Sequence, residues 1–333
     1  MVLTETTPKR RMEWMDLLRG VAVLLVVAWH AVSIPEQFGG KETSDALQSF
    51  NAAVAPFRIP TLLVLSGLLL ERSLSKGPRR YAVGKLRHIA WPYALWFVLI
   101  MGSIDSLATL TNPTNWLSGG ILWYLAVLLV CYAVALLRPR WLPWEVLVLA
   151  PLVLLWLLEP QGGVPQRLLW FGAFFFLGAA LRPHLDTLQR GLPGWGGALL
   201  GLVVVAGGIA AAERFVVSQR PAYFLVSVLG ILFALWLAPR IPSSPVTRLL
   251  QWYGRNSIVV YVGHALAVYL TYRVLAAIGA GESGIVIPVL AIAGVGVPTL
   301  LILARRRLDW LFVLPELRVP TKHAPRHLAE ARS

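Results

Sequence analysis

An arginine and a histidine stand at the two ends of one apolar stretch, Asp16-Leu-Leu-Arg19-Gly-Val-Ala-Val-Leu-Leu-Val-Val-Ala-Trp-His30. As a helix, the eleven steps from Arg19 to His30 make three turns plus roughly 20°, so both side chains project from nearly one face. At the helical rise they lie roughly 16 Å apart along the axis. Val23 and Val26 fill the stripe between them, and Asp16 is within helical reach of Arg19. A neutral imidazole can take a proton from a hydroxyl near neutral pH. A guanidinium at the polar end can hold a phosphate or another anion. Ionisable residues inside a membrane helix point to function by default. The plainer readings are a histidine hydrogen-bonding between helices and a snorkelling arginine, salt-bridged to Asp16.

Other polar residues interrupt later apolar runs. Phe57-Arg58-Ile59-Pro60 leads into Leu65-Ser66-Gly67. The proline bends a helix and frees a carbonyl, Arg58 falls near the level of His30, and Ser66-Gly67 reads as a close helix contact. Trp123-Tyr124 reads first as part of an aromatic belt. Asn256 or Ser257 can cap the start of a late helix that continues through Tyr261 to His264, two neighbours at i and i+3. The loop that ends in Lys85-Leu-Arg87-His88 is the most basic internal piece, which suits either topology or an anionic ligand.

The elements that carry these residues are apolar helices. The chain has 333 residues, 57% hydrophobic and 14% charged, with a mean hydropathy of +0.67. Soluble chains carry about 25% charged residues, so this composition describes a polytopic helical membrane protein. Ten spans are expected, near 17–34, 52–71, 89–106, 119–137, 144–158, 168–181, 196–212, 222–238, 256–277 and 285–304. With the N-terminus in the cytoplasm, 23 of the 30 Lys and Arg residues fall in cytoplasmic pieces and four in outward loops, which places both termini inside. Residues 1–314 then form one transmembrane domain, and 315–333 form a polar, poorly ordered tail. The first span is too long and too charged for a cleavable signal and is expected to be retained.

The net charge of +14 is explained by this loop asymmetry rather than by nucleic acid. The single cysteine, Cys131, allows no intrachain disulfide and suggests no thiol metal site. Walker-type, HExxH and GxSxG motifs are missing from the sequence, so NTPase, metalloprotease and serine-hydrolase chemistry have no support.

The opening helix, DLLRGVAVLLVVAWH, resembles that of the acyltransferase-3 membrane O-acyltransferases, whose mark is a basic residue, ten residues and a histidine. FRIPTLLVLSGLLL, ILWYLAVLL, WFGAFFFLGAAL and YGRNSIVVYVGH resemble later helices of that family, in the same order. Where the family often shows Arg-x-x-Arg before its third helix, this chain has Lys85-Leu-Arg87-His88.

The resemblance implies transfer of an acyl group, acetyl by default, from cytoplasmic acyl-CoA to a hydroxyl on an extracytoplasmic or lipid-linked glycan. His30 would be the base, Arg19 would hold the donor, and Lys85, Arg87 and His88 would assist. Asp16, Arg58, Ser66, Trp123, Asn256, Ser257, Tyr261 and His264 would support the site. No permanently bound cofactor or metal is implied. The resemblance also implies a bacterial plasma membrane. Some relatives carry a fused extracytoplasmic domain; this chain is expected to act alone or with a separate partner enzyme. The rival reading is a transporter or flippase for a lipid-linked sugar or acylated product, with Arg19 and His30 lining its path. A third is a non-catalytic partner of another enzyme.

Overall fold

Long runs of Leu, Val and Ala fold into helices because hydrocarbon offers the backbone no hydrogen-bond partner outside its own segment. The computed structural model describes residues 12–40, 42–104, 107–160, 162–214, 219 and 221–316, and the described residues contain helices and no strand. The main helices are α1 (Glu13–Gly39), α2 (Asp45–Gly67), α3 (Pro78–Lys85), α4 (Trp91–Ile104), α5 (Trp123–Leu137) and α6 (Trp144–Leu158). They are followed by α7 (Gly163–Leu181), α8 (Gly194–Arg214), α9 (Pro221–Leu237), α10 (Pro245–Arg255), α11 (Ser257–Ala277) and α12 (Val286–Leu303).

Each expected span falls on a helix. Among the described residues seven helices are long and apolar enough to cross a membrane, which makes this an integral membrane protein. The helices at the spans expected near 89–106, 144–158 and 196–212 fall short of that length or apolarity. The tail expected over 315–333 lies, apart from Pro315 and Glu316, outside the described residues.

Punctuation follows local chemistry. α1 stops at Gly40, whose left-handed φ of 65° lets its N–H reach the Glu36 carbonyl at 3.2 Å. Pro78 and Pro245 open α3 and α10, where a missing N–H costs nothing. Ser244 and Thr247 close a capping box at the start of α10.

α1 is the central helix, packed by α2, α10, α11 and α12. Its crossing with α10 is backbone against backbone: a Cβ on Gly20 would overlap the Leu250 carbonyl oxygen, and one on Gly254 would overlap that of Asp16. α2 meets α7 in the same way through Gly67 and Gly178, as the Ser66-Gly67 pair suggested. These contacts fix the heights of Arg19 and Ser66, the residues beside Gly20 and Gly67.

Between α3 and α4 the chain makes a π-helical turn, Leu86–Ala90. The segment after α12 then folds back onto it. Trp91 and Trp96 donate their indole N–H groups to the Trp310 and Leu311 carbonyls at 2.7 and 3.1 Å. Phe312 is fully buried and stacks on Trp96.

Candidate active site

α2 ends at Gly67, where its carbonyls form the negative end of its dipole; the Val64 and Ser66 carbonyls accept from the Leu68 and Leu69 N–H groups at 2.8 and 3.3 Å. Arg19 uses this end: its Nη2 donates to the Leu65 carbonyl at 3.4 Å. Ser66, one residue on, donates its hydroxyl to the Leu62 carbonyl at 2.8 Å.

Above this contact lies a cavity of about 170 Å³. Arg19 and His88 line it together with Ser66, Ser257, Tyr124 and Tyr132, and it reaches as far along α1 as Val23 and along α11 as Tyr261. The π turn turns His88 and Ile89 toward this space, a use of extra helical width seen at functional sites. Its basic side continues behind Tyr132: the Lys85 ammonium sits 3.7 Å over that ring, close enough to Arg19 to feel its charge. Burial, with the neighbouring charges of Lys76 and Arg19, lowers the Lys85 pKa to about 8. Tyr81 locks this arrangement by donating its hydroxyl to the Tyr132 carbonyl at 2.9 Å.

His30 and His264 meet beyond the cavity. α1 and α11 run side by side in the same direction, since Arg19 and Ser257 share the cavity while His30 and His264 share a hydrogen bond. The His264 Nε2 to His30 Nδ1 distance is 3.2 Å, with ring centroids 4.9 Å apart. His264 is fully enclosed and His30 partly accessible. Tyr261 stands between cavity and pair: its ring lies 5.8 Å from His264 and edge-on to Tyr124, and its hydroxyl donates to the Ile121 carbonyl at 3.3 Å. The cavity therefore stops one helical turn short of the histidines.

The structure thus gathers Arg19, Ser66, His88, Ser257 and Tyr261 around one space and places His30 with His264 just past it. Lys85 lies behind the wall. Arg87 turns away; its Nε donates to the Leu314 carbonyl at 3.0 Å and its Nη1 pairs with Glu316 at 2.5 Å. Asp16 is buried at the α1–α10 crossing. Arg58, at the His30 end, donates to Asn51 Oδ1 at 2.6 Å and stands 5.6 Å over Trp29. Trp123 is packed between Arg167 and Phe171.

Asn256 corrects an expectation. It occupies the N-cap position of α11, but its side chain makes no cap: its amide N–H donates back to the Trp252 carbonyl at 2.9 Å. Its oxygen accepts from Arg305 at 3.2 Å, which ties α11 to the end of α12.

Two lining tyrosines were not expected at the site: Tyr124, read as part of an aromatic belt, and Tyr132, given no role. They lie eight residues apart with Leu125 and Leu128 on the same face of α5, a helical-face pattern that was there to be read.

Residues 12–304 match a family model described as an acyltransferase domain. No curated protein and no solved structure matches the chain.

Proposed function

The chain belongs to the acyltransferase-3 family and has acyltransferase activity on that ground, and we propose that it moves an acetyl group from cytoplasmic acetyl-CoA to a hydroxyl of an extracytoplasmic or lipid-linked glycan. The observation that carries this reading is the cavity with Arg19 and His88 at one end and Tyr261, next to the His30–His264 pair, at the other. In this reading the ten helices cross a bacterial plasma membrane with both termini in the cytoplasm, so the Arg19 end faces the donor's compartment.

CoA is a polyanion and its phosphates stay at that basic end, beside Arg19, His88 and Lys85. Its pantetheine arm is long and thin and enters the cavity, displacing Tyr261 to bring the thioester to His30. His30 Nε2 takes the proton from the acceptor hydroxyl as its oxygen attacks the thioester carbonyl. The C–S bond breaks, the acyl–oxygen bond remains, and the departing thiolate takes the same proton back from His30. Transfer is direct, with no acyl-enzyme. Asp16, Asn256 and Trp123 support the site by holding helices rather than by touching substrate, and Arg58 stands on the acceptor's side. An extracytoplasmic partner enzyme can receive or supply the glycan.

The test is release of free CoA from acetyl-CoA by membranes that contain the protein together with their own glycan acceptors. Release should depend on the wild-type chain and vanish in His30→Ala. Undiminished release in His30→Ala would remove His30 as the base, and none in wild type with acetyl-, propionyl- and longer acyl-CoA would favour the transporter.

A further inference from the structure

The two histidines constrain each other's protons. His264 Nδ1 lies 3.0 Å from the Val260 carbonyl oxygen, and His30 Nδ1 lies 2.9 Å from that of Val26. A carbonyl oxygen only accepts, so each Nδ1 must carry hydrogen. Among the described residues no carboxylate lies within ion-pair distance of either ring. A cationic His264 would therefore put a bare charge in a fully enclosed site, which is costly. The neutral ring has Nδ1–H and a lone pair on Nε2, which faces His30 Nδ1 at 3.2 Å. The His30 Nδ1–H is shared between the Val26 carbonyl and His264, and the proton-free atom of His30 is Nε2.

We infer that His264 is a positioning residue that, together with the Val26 carbonyl, holds His30 as its Nδ1–H tautomer and so presents Nε2 as the base. This rests on the proposed transfer for its catalytic meaning and adds the group that orients the base, a role often filled by a carboxylate. The chain of hydrogen bonds runs from His30 through His264 to the Val260 carbonyl. When His30 Nε2 takes the acceptor's proton, the imidazolium keeps its Nδ1–H and donates it to the His264 lone pair in a charge-assisted hydrogen bond that stabilises the cation. When the thiolate takes that proton, both rings return to their starting tautomers. His264 neither gains nor loses a proton over the cycle.

The experiment compares wild type with His264→Gln and His264→Leu in detergent, with histidine ring nitrogens labelled with 15N and resonances assigned by the loss of one set in His30→Ala. Gln places an amide oxygen close to the position of Nε2 and keeps an acceptor; Leu removes it. Wild type and His264→Gln should show His30 protonated at Nδ1, and His264→Leu, in which the Val26 carbonyl is the one acceptor left to Nδ1–H, should show a measurable rise in the Nε2–H population. In the CoA-release assay His264→Leu should lose about 10–100-fold in kcat with KM for acetyl-CoA nearly unchanged, and His264→Gln should recover most of it. His30 protonated at Nε2 in wild type, or a tautomer unchanged in His264→Leu, would overturn the inference even if transfer is confirmed. The expected tautomers without CoA release in any variant would leave the pairing standing and reject the acyl-transfer reading.

Discussion

Gly20 on α1 and Gly254 on α10 lie against each other's backbones, and neither position has room for a methyl group. Their close approach brings α10 against α1 one residue from Arg19, so the crossing sets the height of the guanidinium. Gly20→Ala should force the helices apart at a cost of about 1–3 kcal/mol and lower the unfolding temperature. Gly84 provides the opposite sign. It lies inside α3 with open space around it, so Gly84→Ala should gain up to about 1 kcal/mol through backbone entropy. Equal effects from the two substitutions, read by thermal unfolding in detergent, would contradict this packing.

Lys85 should make donor binding sensitive to pH. Its folded pKa is depressed from 10.5 to about 8, so its destabilising charge is shed as pH rises through about 8, while the unfolded chain holds that proton to higher pH. Folding therefore gains from this group with rising pH, whereas a polyanionic donor loses an attractive charge over the same range. Affinity for acetyl-CoA should fall between about pH 7 and 9, and the fall should flatten in Lys85→Met. The same slope in the variant would remove Lys85 from the donor site.

Tyr261 closes the inner end of the cavity with its ring rather than its hydroxyl, whose bond to the Ile121 carbonyl is long at 3.3 Å. Tyr261→Phe should retain most activity. Tyr261→Ala should open the path and leave the thioester poorly placed, with kcat falling more than donor affinity. A loss of activity in Tyr261→Phe equal to that in Tyr261→Ala would make the hydroxyl a participant.

The segment after α12 is held by an aromatic rather than by its ion pair. Glu316 is exposed, so Glu316→Gln should cost less than about 1 kcal/mol. Phe312 is fully buried against Trp96, so Phe312→Ala should cost about 3–5 kcal/mol. Thermal unfolding of the two variants ranks the contributions directly.

What could be read from sequence was what one helix decides alone. Arg19 and His30 share a face by helical repeat, and every expected span lies on a helix, because apolar runs have no other way to satisfy their backbone in lipid. The His30–His264 contact joins residues 234 apart, which no local period encodes. The π turn at Leu86–Ala90 is a shift of hydrogen-bond partner by one residue, which leaves the order of residue types unchanged, so the opposite directions of Arg87 and His88 could not be foreseen. Asn256 has the right chemistry for a cap and occupies the cap position, yet Arg305 and the Trp252 carbonyl claim its side chain.

The central claim is that donor binding and proton transfer are separated along α1, with Arg19 at one end and His30 at the other. Thermal unfolding with and without acetyl-CoA tests this in wild type, Arg19→Ala and His30→Ala, with no acceptor needed. A ligand at about 100 times its dissociation constant adds about 2.7 kcal/mol of stability, a readable shift. The account predicts that shift in wild type and His30→Ala and its loss in Arg19→Ala. A shift retained in Arg19→Ala, or lost in His30→Ala alone, would contradict it.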